Sequence, residues 1–207
     1  MNRLITFEGI DGSGKSTQIS MLCSKFEEKN IKFISVREPG STTISEMIRS
    51  ILLDKTNHGL GSESESLLFM AARAQITHEV IEPALNSGKF VICDRYIDST
   101  IAYQGYGRGL DIPYLKSLNQ YATRNIIPEL TFILDVDKET SIDRRDPRET
   151  DRMESGGDEF IKKVINGYRT MAKENDRFRL LNGTKPPLDL FENIWMIITN
   201  TFGELHV

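Results

Sequence analysis

Cysteine is scarce: Cys23 and Cys93 are the only two among 207 residues, too few for the disulfide framework of a small secreted fold. Neither has a partner at C-x-x-C spacing, and His58, His78 and His206 are scattered, so no zinc-ligand pattern is present. Both cysteines lie in apolar stretches and read as buried free thiols. Long hydrophobic runs are missing as well. No apolar stretch nears the ~18 residues of a membrane span, and the N-terminal segment lacks the apolar run and small-residue cleavage site of a signal peptide. The expected compartment is the cytoplasm, without a membrane partner. An excess of positive charge is also lacking, for the formal net charge is −4, which argues against a nucleic-acid-binding module.

What is present suits one globular domain, residues 1–207, in length and composition. Short apolar runs alternate with longer stretches of helical period, the pattern of a parallel sheet covered by helices. Strands are expected at Leu4–Glu8, Phe33–Arg37, Phe90–Asp94, Leu130–Asp135 and Phe178–Leu181. Helices are expected from about Lys15 to Glu28, Thr43 to Asp54, Glu63 to Asn86, Ile112 to Thr123, Asp158 to Glu174 and Leu188 to Thr201. In the first of these, Ile19, Leu22, Cys23 and Phe26 form an apolar stripe. The fold class is therefore α/β, a five-stranded parallel sheet flanked by helices on both faces. Residues 143–157 break the pattern: Arg144, Arg145, Arg148 and Arg152 stand among few apolar residues, before Gly156 and Gly157.

Gly9-Ile10-Asp11-Gly12-Ser13-Gly14-Lys15-Ser16 matches G-x-x-x-x-G-K-[ST] without a mismatch, between an expected strand and an expected helix. Each residue type has a physical reason. Glycines let backbone N–H groups wrap a phosphate, and the helix that follows aims its unpaired N–H groups and positive dipole end at the anion. Lys15 would reach the β- and γ-phosphates of ATP and Ser16 would ligate Mg²⁺; Thr17 completes the ATP cradle.

A phosphate cradle alone does not separate GTPases, motors and small-molecule kinases. A guanine-reading N-K-x-D is absent, since no Asn is followed by Lys. A kinase needs a second anionic pocket with arginines for the acceptor. Val91-Ile92-Cys93-Asp94-Arg95-Tyr96 supplies an apolar strand ending in an acid and a base. At the carboxyl end of a parallel strand, Asp94 would face Mg²⁺ or its waters and Arg95 could hold an acceptor phosphate.

The segment Ile92-Cys93-Asp94-Arg95-Tyr96-Ile97-Asp98-Ser99-Thr100-Ile101-Ala102-Tyr103-Gln104-Gly105 resembles the signature of thymidylate kinases, and Phe7–Thr17 is similar to that family's P-loop. Arg37-Glu38-Pro39-Gly40-Ser41-Thr42 resembles its R-E-P-G-G-T loop, departing at Ser41; Gly107-Arg108-Gly109 and Leu134-Asp135-Val136 fall where bacterial members have them. The likeness runs the whole chain in order. It implies the P-loop nucleoside monophosphate kinase fold, with a short lid at about residues 143–157, and transfer of the γ-phosphoryl group of ATP to dTMP, giving dTDP and ADP for dTTP synthesis. It also implies a homodimer.

By the same resemblance, Arg95 would hold the dTMP phosphate with Arg37 and Pro39 nearby, and Asp11 would contact the acceptor's sugar or the metal shell. Phe69 would stack on thymine. Arg73 would bond the base edge, as its i+4 position on one helix face allows. Ser99, Thr100 and Gln104 would offer hydrogen bonds to a pyrimidine, and Tyr103 would exclude a ribose 2′-hydroxyl. A cis bond is expected at Glu38–Pro39. Where some members have a P-loop arginine this chain has Gly12, so a lid arginine is expected to serve the transferring group. Arg144, Arg145 and Arg148 are the candidates and Arg148 the favoured one, with Arg152 near adenine or holding the lid. The rival readings are a kinase acting on CMP, UMP or AMP, and a nucleotide-dependent switch.

Overall fold

The strand β1 (Leu4–Glu8) is buried along its whole length, as a strand covered on both faces must be. It sits in the middle of five parallel strands: β2 (Phe33–Arg37), β3 (Phe90–Asp94), β4 (Leu130–Asp135) and β5 (Phe178–Asn182), in the order β2-β3-β1-β4-β5. The computed structural model describes residues 2–144, 152–153 and 157–205.

The period-2 alternation of the strands sends two sets of side chains to opposite faces. Ile5 and Phe7 of β1 and Ile92 of β3 join Leu22 and Phe26 of α1 (Lys15–Glu28) and Ile194 and Ile198 of α9 (Pro187–Thr201) in one core. Leu4, Val91 and Cys93 face the other way, onto Ile76 at the end of α3 (Ser62–Ile76) and Ala84 of α4 (Glu82–Asn86). Ile133 of β4 joins a further cluster with Ile101, Ala102 and Tyr103 of the π-helical stretch Ile101–Gly107, which continues α5 (Ile97–Thr100), and with Phe160 and Val164 of α8 (Gly157–Met171). Cys93 is buried and Cys23 half-buried, both as free thiols.

Beside these lie α2 (Thr43–Leu53), α6 (Ile112–Thr123) and α7 (Lys138–Asp143). Thr42, Asp111 and Asp137 cap them through side-chain oxygens that accept from Ser45, Tyr114 and Thr140 N–H. The long helix expected over 63–86 is divided: between α3 and α4 the turn Thr77–Ile81 is π-helical. Pro83 follows that turn, lacks an N–H and crowds the carbonyl four residues back, so the ladder widens before it. The helical stretch 97–107 was not expected from its β-branched and glycine content. Packing supplies what propensity does not: Tyr106 lies on Gly167 of α8, where an added Cβ would meet the ring at 2.7 Å.

Candidate active site

The carboxyl ends of β1 and β3 are neighbours, Phe7 aligned with Asp94, and they open one crevice beside the P-loop. Gly9 has φ +132°, and a Cβ there would meet the Leu134 carbonyl oxygen at 2.6 Å, so the loop passes β4 at a distance only glycine allows. Gly14 forms the N-cap of α1 with no side-chain cap, which leaves the first-turn N–H groups open to an anion. Lys15 is buried, and its Nζ donates to the carbonyls of Gly9 and Ile10, each at 3.1 Å. Burial, with the Arg95 charge next in size, lowers its pKa from 10.5 to about 8: a cation is held where water cannot solvate it, awaiting phosphate. Ser13 is buried in the loop and Ser16 exposed at the start of α1. Asp11, Gly12, Gly14, Ser16 and Thr17 line the cleft with Lys15, Asp94 and Arg144, around about 1010 Å³ of empty space.

Asp94 has the environment a metal shell would use. Its Oδ1 is buried with no hydrogen-bond partner among the described residues, which is costly unless something else satisfies it. Among the described residues no cluster of three or more His, Cys, Asp or Glu could hold a metal unaided. The residues fit a Mg²⁺ that takes most of its ligands from phosphate and water.

A second cleft, with about 580 Å³ of empty space, lies on the other side of Arg95 and is lined by Pro39, Arg49, Leu53, Phe69, Arg73, Ser99, Thr100, Tyr103, Gln104 and Met153, among others. The two clefts share Asp11, Glu38, Arg49 and Arg95. The bond Glu38–Pro39 is cis, as expected, and the Pro39 carbonyl accepts from Arg49 at 2.8 Å.

Arg95 stands at the junction with φ +65°, a conformation unusual for a residue with a side chain. Its Nη1 donates to the Gly9 carbonyl at 2.9 Å and its Nη2 to Asp11 at 2.5 Å, while Tyr103 lies beneath it at 5.2 Å. Glu8, fully buried below, accepts from the Tyr96 N–H at 2.8 Å, the Ser99 hydroxyl at 2.6 Å and the Tyr168 hydroxyl at 2.9 Å. Burial, reinforced by the Asp98 charge, raises the Glu8 pKa to about 7.

Arg73 is buried and spends most of its donors inside the protein. Nε bonds Glu38 at 2.7 Å, Nη1 bonds Thr100 at 2.8 Å and Asn119 at 2.6 Å, and Nη2 bonds the Tyr96 carbonyl at 2.9 Å. These bonds use four of the five guanidinium protons and leave one on Nη2 without a partner among the described residues, on a side chain that lines the second cleft. Phe69, one turn earlier, is half-buried on the same cleft.

Most of the expected site residues therefore line two connected clefts, with differences in detail. The Ser99 hydroxyl is turned to Glu8 and Tyr168, and Thr100 accepts from Arg73, so both serve neighbouring side chains of the site. Arg37 lines the phosphate cleft with its guanidinium on Glu46 at 3.0 Å. Arg152 is placed away from the P-loop: it bonds Glu65 at 2.7 Å and the Leu52 carbonyl at 2.8 Å, behind the second cleft. Its guanidinium answers a buried carboxylate there, which is the stronger demand. Arg148 and Arg145 lie outside the described residues, whereas Arg144 donates to the Gly183 carbonyl at 2.8 Å and reaches the phosphate cleft. Sequence reasoning missed Arg49, Glu65, Asn119 and Tyr168. Each sits within a helix with no motif to mark it, and Tyr168 falls on the apolar face of α8 beside Val164 and Ile165.

Comparison with known proteins agrees with this geometry. The family described as thymidylate kinase matches residues 7–194. The thymidylate kinase of Thermosipho africanus is 43% identical over 194 residues, covering 94% of this chain and 96% of the relative. That of Chlorobium phaeobacteroides is 44% identical over 202 residues, covering 92% of each. A crystal structure of thymidylate kinase from Ehrlichia chaffeensis superposes with a TM-score of 0.79 at 35% identity, covering 94% of this chain and 97% of that one. Matched from P-loop to last helix and built on the same sheet, the chain belongs to the thymidylate kinase family.

Proposed function

We propose that the chain transfers the γ-phosphoryl group of ATP to dTMP, giving dTDP and ADP. The observation that carries this reading is the pair of clefts that share Asp11, Glu38, Arg49 and Arg95. One is a phosphate cradle. The other has an aromatic ring, Phe69, and a single spare guanidinium proton, on Arg73, suited to a flat, uncharged base.

With ATP in the P-loop, the open N–H groups at the start of α1 and Lys15 hold the β- and γ-phosphates. With dTMP in the second cleft, Phe69 stacks on thymine, Tyr103 closes the sugar side and Arg95 holds the 5′-phosphate. A phosphate oxygen of dTMP then attacks the γ-phosphorus as the bond to the ADP oxygen breaks. The acceptor oxygen is already ionised, so no strong base is required; catalysis is positioning and charge stabilisation. Lys15 and Arg95 supply the fixed cations, and Arg144 of the expected lid segment lines the same cleft. Ser16 and Asp94 would hold Mg²⁺, which neutralises the phosphates when bound.

Homodimerisation fits an apolar stripe on α2, where Ile44, Met47 and Ile51 are 50%, 65% and 46% exposed at helical spacing, with Leu67 of α3 beside them at 53%; light scattering after gel filtration checks it. Among the described residues no helix is long and apolar enough to cross a membrane, in keeping with a cytoplasmic site of action. The activity is tested by ADP release with a panel of dTMP, dUMP, dCMP, CMP, UMP and AMP. Fastest turnover with dTMP is expected. Faster turnover with CMP or UMP would remove the acceptor assignment, and ADP release indifferent to every monophosphate would remove the kinase reading.

A further inference from the structure

Glu65 is 1% exposed, yet it touches no part of the phosphate cleft and plays no part in the reaction described above. Its carboxylate has about four acceptor positions, and four donors fill them. Oε1 takes Gln104 Nε2 at 2.9 Å and Arg108 Nε at 3.2 Å; Oε2 takes Arg108 Nη2 at 3.1 Å and Arg152 Nη2 at 2.7 Å. The two guanidinium groups offset the cost of burying the charge.

The consequence falls on Gln104. An amide side chain can usually turn over, exchanging its carbonyl and its NH₂. Here it cannot, because a carboxylate saturated by donors only accepts, and a carbonyl turned toward it would lose a bond and meet a like partial charge. Gln104 is 1% exposed and lines the acceptor cleft beside Thr100 and Arg73. One Nε2 proton is committed to Glu65 and Oε1 has no hydrogen bond among the described residues, which makes Oε1 the acceptor that Gln104 can offer a ligand in the cleft. Arg73, which lines the same cleft, keeps one Nη2 proton without a partner among the described residues. The cleft thus offers a donor from Arg73 and an acceptor from Gln104.

We infer that Glu65 is a specificity-positioning residue: it fixes the Gln104 amide so that the cleft matches thymine and uracil and opposes cytosine. The 4-position of thymine is a carbonyl and its N3 carries a proton; cytosine has an amino group and a bare N3, reversed at both positions. Against cytosine, donor would face donor and acceptor would face acceptor, and a site that leaves buried polar groups unpaired rejects the analogue strongly. This inference rests on the reading that the base lies between Phe69, Arg73 and Gln104.

The test is the ratio of kcat/KM for dTMP to that for dCMP in Glu65→Gln, which has nearly the same shape but can present either an oxygen or a nitrogen to Gln104. The ratio is expected to narrow by about tenfold, roughly one hydrogen bond's worth. The dTMP to dUMP ratio should stay within about twofold, since the two bases share the edge being read. Glu65→Asp keeps the charge but withdraws it by one methylene and should narrow the dCMP ratio too, so the test survives if one variant folds poorly. Melting temperature and ATP KM report on folding alone. A folded Glu65 variant with the wild-type dTMP to dCMP ratio would overturn the inference. Gln104→Leu separates the layers: if it narrows the ratio while both Glu65 variants do not, the role of Glu65 falls and the base placement stands; if it leaves the ratio unchanged, the base placement falls and the inference with it.

Discussion

Lys15→Met is expected to make the unliganded protein more stable at pH 7 while abolishing transfer. Lys15 is 6% exposed, and its pKa is lowered from 10.5 to about 8. That lowering corresponds to about 3 kcal/mol of cost for keeping the charged form folded, at ~1.4 kcal/mol per tenfold. Methionine removes the charge and fills similar space. Against this gain stand the two hydrogen bonds to the Gly9 and Ile10 carbonyls. Their loss costs about 1–2 kcal/mol, leaving a net gain of about 1–2 kcal/mol, or a rise in Tm of about 2–8 °C for a chain of this length. The pH dependence follows. Between about 8 and 10.5 the unfolded lysine holds a proton that the folded one has released, so the wild-type protein gains stability from this group as pH rises. The difference between variant and wild type should therefore shrink across that window. Urea unfolding followed by the fluorescence of Trp195, the single tryptophan, measures both. Added ATP should reverse the order at pH 7, because ligand at about 100 times its Kd stabilises the wild type by about 2.7 kcal/mol. A variant no more stable than wild type at pH 7, or a gap that persists to pH 10.5, would refute the idea that the loop stores an unfavourable charge for its ligand.

Arg95→Lys keeps a positive charge but loses the fork that spans the Gly9 carbonyl and Asp11; kcat should fall by about 10²–10³, as for loss of one aimed donor, and a steady-state rate within about threefold of wild type would count against its role. Asp94→Asn should raise the Mg²⁺ concentration for half-maximal rate by about tenfold or more, as outer-sphere changes at metal sites do, read from a magnesium titration at fixed ATP. Phe69→Ala should raise the KM for dTMP by about tenfold, in line with the ~1–3 kcal/mol of a base–aromatic stack, and leave the KM for ATP unchanged; equal effects on both would point to a general packing loss.

The sheet and the phosphate cradle were legible because each is specified locally. The five strand boundaries follow from apolar runs bounded by turns, and they fall within one residue of the observed ends, β5 extending to Asn182. A loop of the Gly9–Ser16 pattern holds phosphate mainly through backbone N–H groups, so a contiguous pattern carries the information. The resemblance singled out Arg95, Phe69, Arg73 and Gln104, and all four line the second cleft. Neither source could give the layer behind them. Glu65, Asn119 and Tyr168 act through partners 39, 46 and 160 positions away in sequence, and on their own helices they are indistinguishable from surface or core residues. The helical stretch 97–107 was hidden for a related reason: its conformation is held by α8, and only the tertiary contact outweighs its poor propensity. Arg152 shows the same limit, since its partner Glu65 lies 87 positions back in the chain.

The pairing of cations divides the crevice by function. Arg73 is buried against Glu38, itself 4% exposed, with four of its five protons bonded inside the protein. Such a guanidinium carries little field into the cleft; what it offers is one directed hydrogen bond, which an uncharged base edge can answer and a phosphate would find inadequate. At the junction the balance is different. Asp11, 43% exposed, is the carboxylate that meets both Arg95 at 2.5 Å and Lys15 at 3.8 Å, and an exposed partner of this kind neutralises weakly. Of the two cations, Lys15 is poorly placed for stability, its pKa depressed by burial and by the Arg95 charge, whereas at Arg95 burial is outweighed by the neighbouring Tyr103 and Asp11, which raise the pKa. Both are well placed for the arrival of two polyanions. Under the proposed function, the contrast between the Arg73 guanidinium, bonded into the protein, and the two cations at the junction should orient the acceptor, base inward and phosphate toward the P-loop.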